Sequence, residues 1–135
     1  MKALILCGSG NRDGFTWELC KGASEGLESL GIRSEVLDAS ELRIGHCNGC
    51  GACEDGDCPI DDDMGAMFAK FSESDIFILA TPIRFSGPSS LIKTVIDRFQ
   101  PIWHGMDIKR PTYAAGIMCG GNQEARFAST VTIFR

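Results

Sequence analysis

The sequence predicts an α/β fold, in which a parallel sheet carries helices on both faces, as a single domain over residues 1–135. Apolar runs alternate with amphipathic stretches in the order of β-α-β units. The run over residues 76–80 has no polar alternation, which is typical of a central strand covered on both faces. A chain of 135 residues that is 44% hydrophobic and 23% charged is large enough for one globular core.

The first half of the chain contains two predicted strands and one helix. The first strand is expected over residues 3–7 and ends at a glycine-rich turn. A helix is predicted over residues 16–30, because Leu19, Ala23 and Leu27 recur at helical spacing and Gly31 can close it. The second strand is predicted over residues 33–37.

A cysteine-rich loop follows, and a second helix is predicted to start at residues 61–63. Three carboxylates there suit the positive end of the helix dipole. The side chains that this helix is expected to bury are Met64, Met67, Phe68 and Phe71.

The remaining elements follow the strand over residues 76–80. A third helix is predicted over residues 91–99, with Pro88 in its first turn, and Trp103 and His104 are placed in a loop. The fourth strand is expected over residues 113–119. A last helix is predicted after the glycine turn, and the side chains expected on one of its faces are Phe127, Val131 and Phe134.

Composition excludes several classes of function. The net charge of −5 and the absence of a basic stripe argue against nucleic-acid binding. The chain has neither an apolar run of about 18 residues nor a signal peptide, so we expect no membrane association and a cytoplasmic location. Seven clustered cysteines do not resemble a secreted disulfide framework. Cys7, Cys20 and Cys119 are expected to be small buried side chains.

Four cysteines, Cys47, Cys50, Cys53 and Cys58, fall within the loop 47–58 in the pattern C-x2-C-x2-C-x4-C. Thiolates at this spacing can wrap around a cubane iron–sulfur cluster, with a different iron bound by each. Zinc is the first alternative, although structural zinc sites usually draw two ligand pairs from separated segments. The pattern favours a cluster over zinc, and an unmetallated or disulfide-forming loop is the third alternative.

The turn after the first strand has the composition of an anion site. Ser9, Asn11, Arg12 and Thr16 lie among glycines at the start of a helix, where free backbone N–H groups and the helix dipole favour a phosphate. The turn matches neither the dinucleotide fingerprint nor a Walker motif. A plain tight connection is the alternative. In an open parallel sheet, this turn and the loops after the third and fourth strands would meet at one edge.

With these loops in place, the chain resembles the flavodoxin-like FMN-binding flavoproteins of the NADPH-dependent FMN reductase superfamily. Within that group it resembles the iron–sulfur flavoproteins of anaerobic archaea and bacteria. The motifs that carry the resemblance are GSGNRDGFT at 8–16, the cysteine pattern, DDM at 62–64, TPIRFS at 81–86, KTVIDR at 93–98 and GGNQE at 120–124.

The resemblance implies a flavodoxin-like doubly wound sheet of order 2-1-3-4, with the fifth strand of such folds absent from this chain. It also implies FMN bound at three loops and a [4Fe-4S] cluster on the four cysteines. Arg84 replaces the common aromatic residue of the second loop and would either lie near the flavin ring or be exposed. The residues implied to bind FMN are Ser9, Asn11, Arg12, Gly14, Phe15, Thr16, Thr81, Pro82, Ile83, Arg84, Phe85, Ser86, Cys119, Gly120 and Gly121.

The function predicted from these features is electron transfer between the cluster and FMN, from a ferredoxin-type donor to an acceptor that the sequence does not specify. No catalytic side chain is expected, because the cofactors supply the chemistry. One alternative is an NAD(P)H-dependent FMN or quinone reductase without a cluster. Another is a zinc-stabilised binding or redox-sensing module. We expect a homo-oligomer or a fragment of a longer natural chain, because the fourth strand would otherwise leave an open sheet edge.

Overall fold

The computed structural model describes residues 1–56 and 58–121. Four parallel strands form one sheet of order β2-β1-β3-β4. The flavodoxin-like topology implied by the sequence is therefore confirmed. The predicted last helix, with Phe127, Val131 and Phe134, lies outside the described residues. The four strands are β1 (Lys2–Cys7), β2 (Arg33–Asp38), β3 (Ile76–Pro82) and β4 (Tyr113–Cys119).

Helices cover both faces of the sheet. The helices are α1 (Phe15–Ser29), α2 (Met64–Glu73), α3 (Ser90–Asp97) and α4 (Gln100–Trp103), and short 3-10 turns occupy Ala39–Glu41 and Ala52–Glu54. Alternate residues of β1 divide between two apolar clusters, as the period of a strand requires. Ile5 packs on the α1 side with Trp17, whereas Leu4 packs on the other side with α2 and α3.

The core on the second face is built around aromatic rings. The four side chains predicted to be buried by α2 are all buried, which confirms that prediction. Phe71 contacts the rings of Phe77 and Phe99 edge to face, with centroids 5.0 and 5.2 Å apart. Such pairs stabilise beyond the apolar area that they bury.

Several predicted boundaries were wrong. Pro88 does not enter the first turn of α3, because the helix is capped by Ser89 and starts at Ser90. Trp103, which was predicted to lie in a loop with His104, instead ends the short helix Gln100–Trp103, which has a proline near its start. β3 extends through Pro82, because its last residues pair with β4.

None of the helices in the described parts of the chain is both long and apolar enough to cross a bilayer.

Candidate functional site

Three predicted binding loops meet at the carboxyl edge of the sheet and are joined by hydrogen bonds. The Gly8 amide donates to the Ala80 carbonyl at 2.7 Å, which ties the first loop to β3. The Ile83 amide donates to the Cys119 carbonyl at 2.8 Å, which ties the second loop to the third. β1 and β3 are neighbours between which the chain reverses its direction of winding, the place where open α/β sheets bind ligands.

The first loop also lies directly against α3. The Ser89 hydroxyl donates to the Gly8 carbonyl at 2.8 Å and accepts from the Ile92 amide at 3.4 Å. A Cβ atom at Gly8 would lie 2.1 Å from Cγ1 of Ile92. Only glycine permits this approach.

The start of α1 is suited to an anion. Its N-cap is Gly14, so no side chain occupies the amides of the first turn. Ser9 and Thr16 are buried beside this turn, whereas Phe15 is 74% exposed. The side chain of Asn11 accepts from the Asp13 amide at 3.2 Å and shapes the loop. Free amides and the dipole of a 15-residue helix fit a phosphate group.

Arg12 is held by acidic side chains at the end of β2 and in the 3-10 turn that follows it. Its guanidinium donates to Asp38 at 3.0 Å and to Glu41 at 2.5 Å, and lies 5.3 Å from the ring centre of Trp17. Burial opposes ionisation of Asp38, but hydrogen bonds from Ser40 and Arg12 hold its pKa below the usual range. A phosphate contact by Arg12 would therefore compete with two carboxylates.

The second loop ends in a two-residue hairpin turn. Arg84 and Gly87 exchange backbone hydrogen bonds of 2.9 Å. The two residues between them, Phe85 and Ser86, have φ values of 47° and 63°. Both lie in the left-handed region, as a type I′ turn requires. Non-glycine residues rarely adopt it, and such strain is concentrated at functional sites. The Phe85 ring is fully exposed at the tip, and Arg84 is exposed beside it.

The other predicted FMN residues line the bases of these loops. Thr81 is buried, and its hydroxyl accepts from the Ser89 amide at 2.8 Å and donates to the Pro82 carbonyl at 3.0 Å. Cys119 and Gly120 are half-buried and Gly121 is exposed. The structure thus brings the three loops to one edge, and the contacts of each residue with FMN stay predictions.

The cysteine loop is closed at its base by its flanking residues. Arg43 donates its amide to Asp63 at 2.7 Å and accepts from the Asp63 amide at 3.0 Å. The Gly45 amide donates to Asp62 at 2.8 Å. The residues before the cysteines are therefore hydrogen-bonded to the residues after them, so the two ends of the cysteine loop lie side by side.

A buried ion pair anchors that base. Arg98, the C-cap of α3, donates from Nη1 and Nη2 to the two Asp62 oxygens at 2.5 and 3.2 Å, and from Nη1 to the Gly45 carbonyl at 2.8 Å. Burial opposes ionisation of Asp62, but hydrogen bonds from Arg98, Gly45 and Met64 lower its pKa. Burial likewise would lower the pKa of Arg98, but the hydrogen bonds and charge of Asp62, with smaller contributions from Cys58, raise it.

The four cysteines line one cavity of about 380 Å³, next to Arg98 and the start of α4. Cys47 and Cys50 are exposed, and Cys53 and Cys58 are half-buried. Among residues 1–56 and 58–121, no three cysteine, histidine or acidic side chains stand close enough together to hold one metal ion. A cluster binds each thiolate through a different iron and so spreads its ligands more widely than a single ion does. The cavity and its thiols fit such a group.

The two cysteines Cys7 and Cys20 are buried next to each other between β1 and α1, which confirms the prediction for them. The hydrogen bond to Cys7 and burial raise the pKa of Cys20. This keeps the Cys20 thiol protonated, as expected of a packed side chain.

Sequence reasoning missed several residues that shape the site, namely Asp38, Asp62, Ser89 and Arg98. Asp62 was named from the sequence only as part of the DDM motif and of the predicted helix start, not as the partner of a buried cation. A local signal did exist for Arg98. It follows the buried residues Ile92 and Val95 at three-residue steps, which places a guanidinium on the buried face of α3.

Known proteins are similar to this chain in sequence. An iron–sulfur flavoprotein of Methanocaldococcus jannaschii is 32% identical over 128 residues, which cover 92% of this chain and 66% of that protein. An iron–sulfur flavoprotein of Archaeoglobus fulgidus is 30% identical over 136 residues, covering 97% and 67%. The chain spans 50% to 67% of the length of these and other curated relatives.

Solved structures agree on the fold. An NAD(P)H:quinone oxidoreductase from Methanothermobacter marburgensis superposes with a TM-score of 0.75 at 21% identity, covering 92% of this chain and 66% of that one. A flavone reductase superposes with a TM-score of 0.69 at 22% identity, covering 91% and 44%. With a match that runs over residues 1–131, the chain belongs to the NADPH-dependent FMN reductase family.

Proposed function

We propose that this chain is the cofactor-binding part of a redox flavoprotein that transfers electrons between a [4Fe-4S] cluster on Cys47, Cys50, Cys53 and Cys58 and FMN at the three loops. The electrons would come from a ferredoxin-type donor. Membership of an FMN reductase family supports the flavin, and relatives named iron–sulfur flavoproteins support the cluster.

One observation carries the proposal: α3 contacts both candidate cofactor sites. Ser89 at its start bonds to the first loop through Gly8, and Arg98 at its end bonds to the base of the cysteine loop through Gly45. An eight-residue helix is about 12 Å long at a rise of about 1.5 Å per residue. Because a helix is rigid over that length, it would hold the two centres at a fixed and short separation.

The protein would bind and tune the flavin mainly through its backbone. When bound, FMN accepts two electrons and the cluster transfers them singly. The first-turn amides of α1 would hold the phosphate, and the amides of the second and third loops would hold the edge of the ring. Donors at that edge stabilise the negative charge that reduction brings, and Arg84, exposed in the second loop, could add to this.

The cavity of the cysteine loop favours a cluster over zinc. All four thiols line it, and three of them fall within seven residues, whereas structural zinc sites usually draw two ligand pairs from separated segments. Because metal binding and loop folding are coupled, the final ligand distances depend on the centre that is bound. Four thiolate ligands also suit a reducing compartment, which is consistent with the predicted cytoplasmic location.

A homo-oligomer is part of the proposal. Phe15 and Phe85 expose most of their rings beside the proposed flavin site. Tyr113 and the residues up to Gly116 leave the outer edge of β4 uncovered in the described residues. Large exposed apolar side chains of this kind usually pack against a partner.

The second candidate is an NAD(P)H-dependent FMN or quinone reductase without a cluster. The family match favours it, since that family is described by its use of NADPH. In that case the cysteine loop would carry no iron. NADPH oxidation by the purified protein, at a rate unaffected by loss of the cysteines, would favour this candidate.

A third candidate is a zinc-stabilised module that binds no flavin. Colourless protein containing one zinc per chain would favour it over both electron-transfer functions.

The test is an anaerobic absorption spectrum of the purified protein together with iron, sulfide and zinc analysis. We expect flavin bands and about four irons and four sulfides per chain. Flavin without iron would overturn the cluster and support the second candidate. Zinc without flavin would overturn both.

A further inference from the structure

Arg98 has a donor without a hydrogen-bond partner in the part of the chain that the structure describes. Its side chain is 2% exposed, and its two terminal nitrogens serve Asp62 and the Gly45 carbonyl. The third nitrogen, Nε, is buried and has no hydrogen-bond partner among the described residues. An unsatisfied buried donor destabilises a fold, so its retention calls for an acceptor.

The position of the guanidinium indicates where that acceptor would be. Arg98 lines the cavity that contains all four cysteines and also a neighbouring cavity of about 410 Å³. Cys58 lines both cavities as well, whereas Cys47, Cys50 and Cys53 line only the first. Cys58 is therefore the candidate acceptor among the four cysteines.

We propose that Arg98 is a positioning residue of the cluster site, which holds the base of the cysteine loop with its two terminal nitrogens and donates from Nε to the Cys58 sulfur when the cluster is bound. This inference rests on the proposed function. Residues that hydrogen-bond to metal ligands orient those ligands and adjust the reduction potential of the metal centre. The charge of Arg98 is already balanced by Asp62, so the expected tuning comes from the N–H group.

A hydrogen bond to a ligand sulfur stabilises the more negative, reduced form of a cluster and raises its reduction potential. Loss of the donor should therefore move the potential to a more negative value. It should also speed the release of iron to a chelator by about 10-fold to 100-fold, the usual size of outer-partner effects on metal affinity.

Two variants separate this role from simple packing. Arg98→Lys keeps a cation opposite Asp62 but lacks the forked donor set. Arg98→Met combined with Asp62→Asn removes both buried charges, which avoids leaving one charge unpaired. The matched control is Arg43→Met, because Arg43 flanks the same loop, pairs with Asp63 at 3.5 Å and has an 85% exposed side chain.

The readouts are the midpoint potential from an EPR-monitored titration, the rate of iron release to a chelator and FMN affinity by fluorescence. We expect both Arg98 variants to bind FMN as the wild type does, with a more negative cluster potential and faster iron release. The control should match the wild type in all three.

Three outcomes would overturn the inference. Wild-type potential and iron release in both Arg98 variants would show that Nε does not reach the centre. Loss of FMN binding and folding in both would show a general packing role. Failure of the wild type itself to take up iron would instead remove the proposed function, and the inference with it.

Discussion

The proposed flavin site at the sheet edge and the cysteine loop are built in opposite ways. The three loops at the sheet edge are bonded to one another through Gly8, Ala80, Ile83, Cys119 and Ser89. The cysteine loop is bonded to the rest of the fold at its base, and two of its four thiols are exposed. The first site is preformed by the backbone of the fold. The second is a loop that is held at its base and would take its final conformation only when a metal centre binds.

The strongest test of this contrast is Cys50→Ser. We expect complete loss of the cluster, because four thiolates are needed and a hydroxyl is a poor ligand for iron in such a centre. FMN affinity should be unchanged, because Cys50 belongs to the cysteine loop and to none of the three loops proposed to bind FMN. Iron analysis and flavin fluorescence measure the two effects. If both cofactors were lost together, the two sites would not be separate.

Gly8→Ala tests the preformed edge. The added carbon would overlap Ile92, so we expect a loss of about 1–3 kcal/mol in the free energy of unfolding and weaker FMN binding, with iron uptake retained. Urea unfolding and FMN titration are the measurements. Gly22→Ala is the control, because a Cβ at Gly22 meets nothing within 4 Å and alanine suits a helix. An unchanged unfolding midpoint in Gly8→Ala would contradict the close approach.

Asp38→Asn tests how the first loop is held. The pKa of Asp38 is lowered in the fold, so its ionised form stabilises the protein at pH values above its unfolded pKa of about 3.9. That contribution is lost as the pH falls through the lower, native pKa. We expect the variant to be less stable by about 1–3 kcal/mol at neutral pH, with the gap closing in acid. Urea unfolding across the pH range measures it, and a constant gap would rule out this linkage.

Ser89→Ala should have the smallest effect. It removes the cap of α3 and the hydrogen bond to Gly8, a loss of about 0.5–2 kcal/mol. Thermal unfolding should register this, whereas Ser90→Ala, one exposed position later, should not. Equal melting temperatures in all three proteins would mean that the link between α3 and the first loop contributes nothing.

Much of the fold followed from local patterns. The four strands were predicted because apolar runs in a parallel sheet are continuous, and β4 matched its predicted bounds. The ends of strands and helices were less predictable, because they depend on contacts with residues that are distant in sequence or on capping side chains. β3 runs past Ala80 since Thr81 and Pro82 pair with β4, 37 residues further along the chain. The start of α3 is set by the Ser89 hydroxyl rather than by Pro88.

In the candidate site, too, some features could be predicted from local sequence and others could not. The loops that meet at the sheet edge were predicted from their position after strands, and the cysteines from their spacing. The supporting contacts span long separations, such as 81 residues between Ser89 and Gly8 or 53 between Arg98 and Gly45. No local pattern reports a contact of that range. Only the helical spacing of Arg98 gave a hint of its burial.

Trp17 gives the first loop an optical reporter of its own. Its indole N–H donates to the Ser9 carbonyl at 2.8 Å, and the guanidinium of Arg12 lies over its ring. The only other tryptophan in the sequence, Trp103, is 84% exposed and remote in the chain. Replacing Trp103 with phenylalanine would leave a single buried fluorophore whose emission follows any rearrangement of that loop, in real time and without a label.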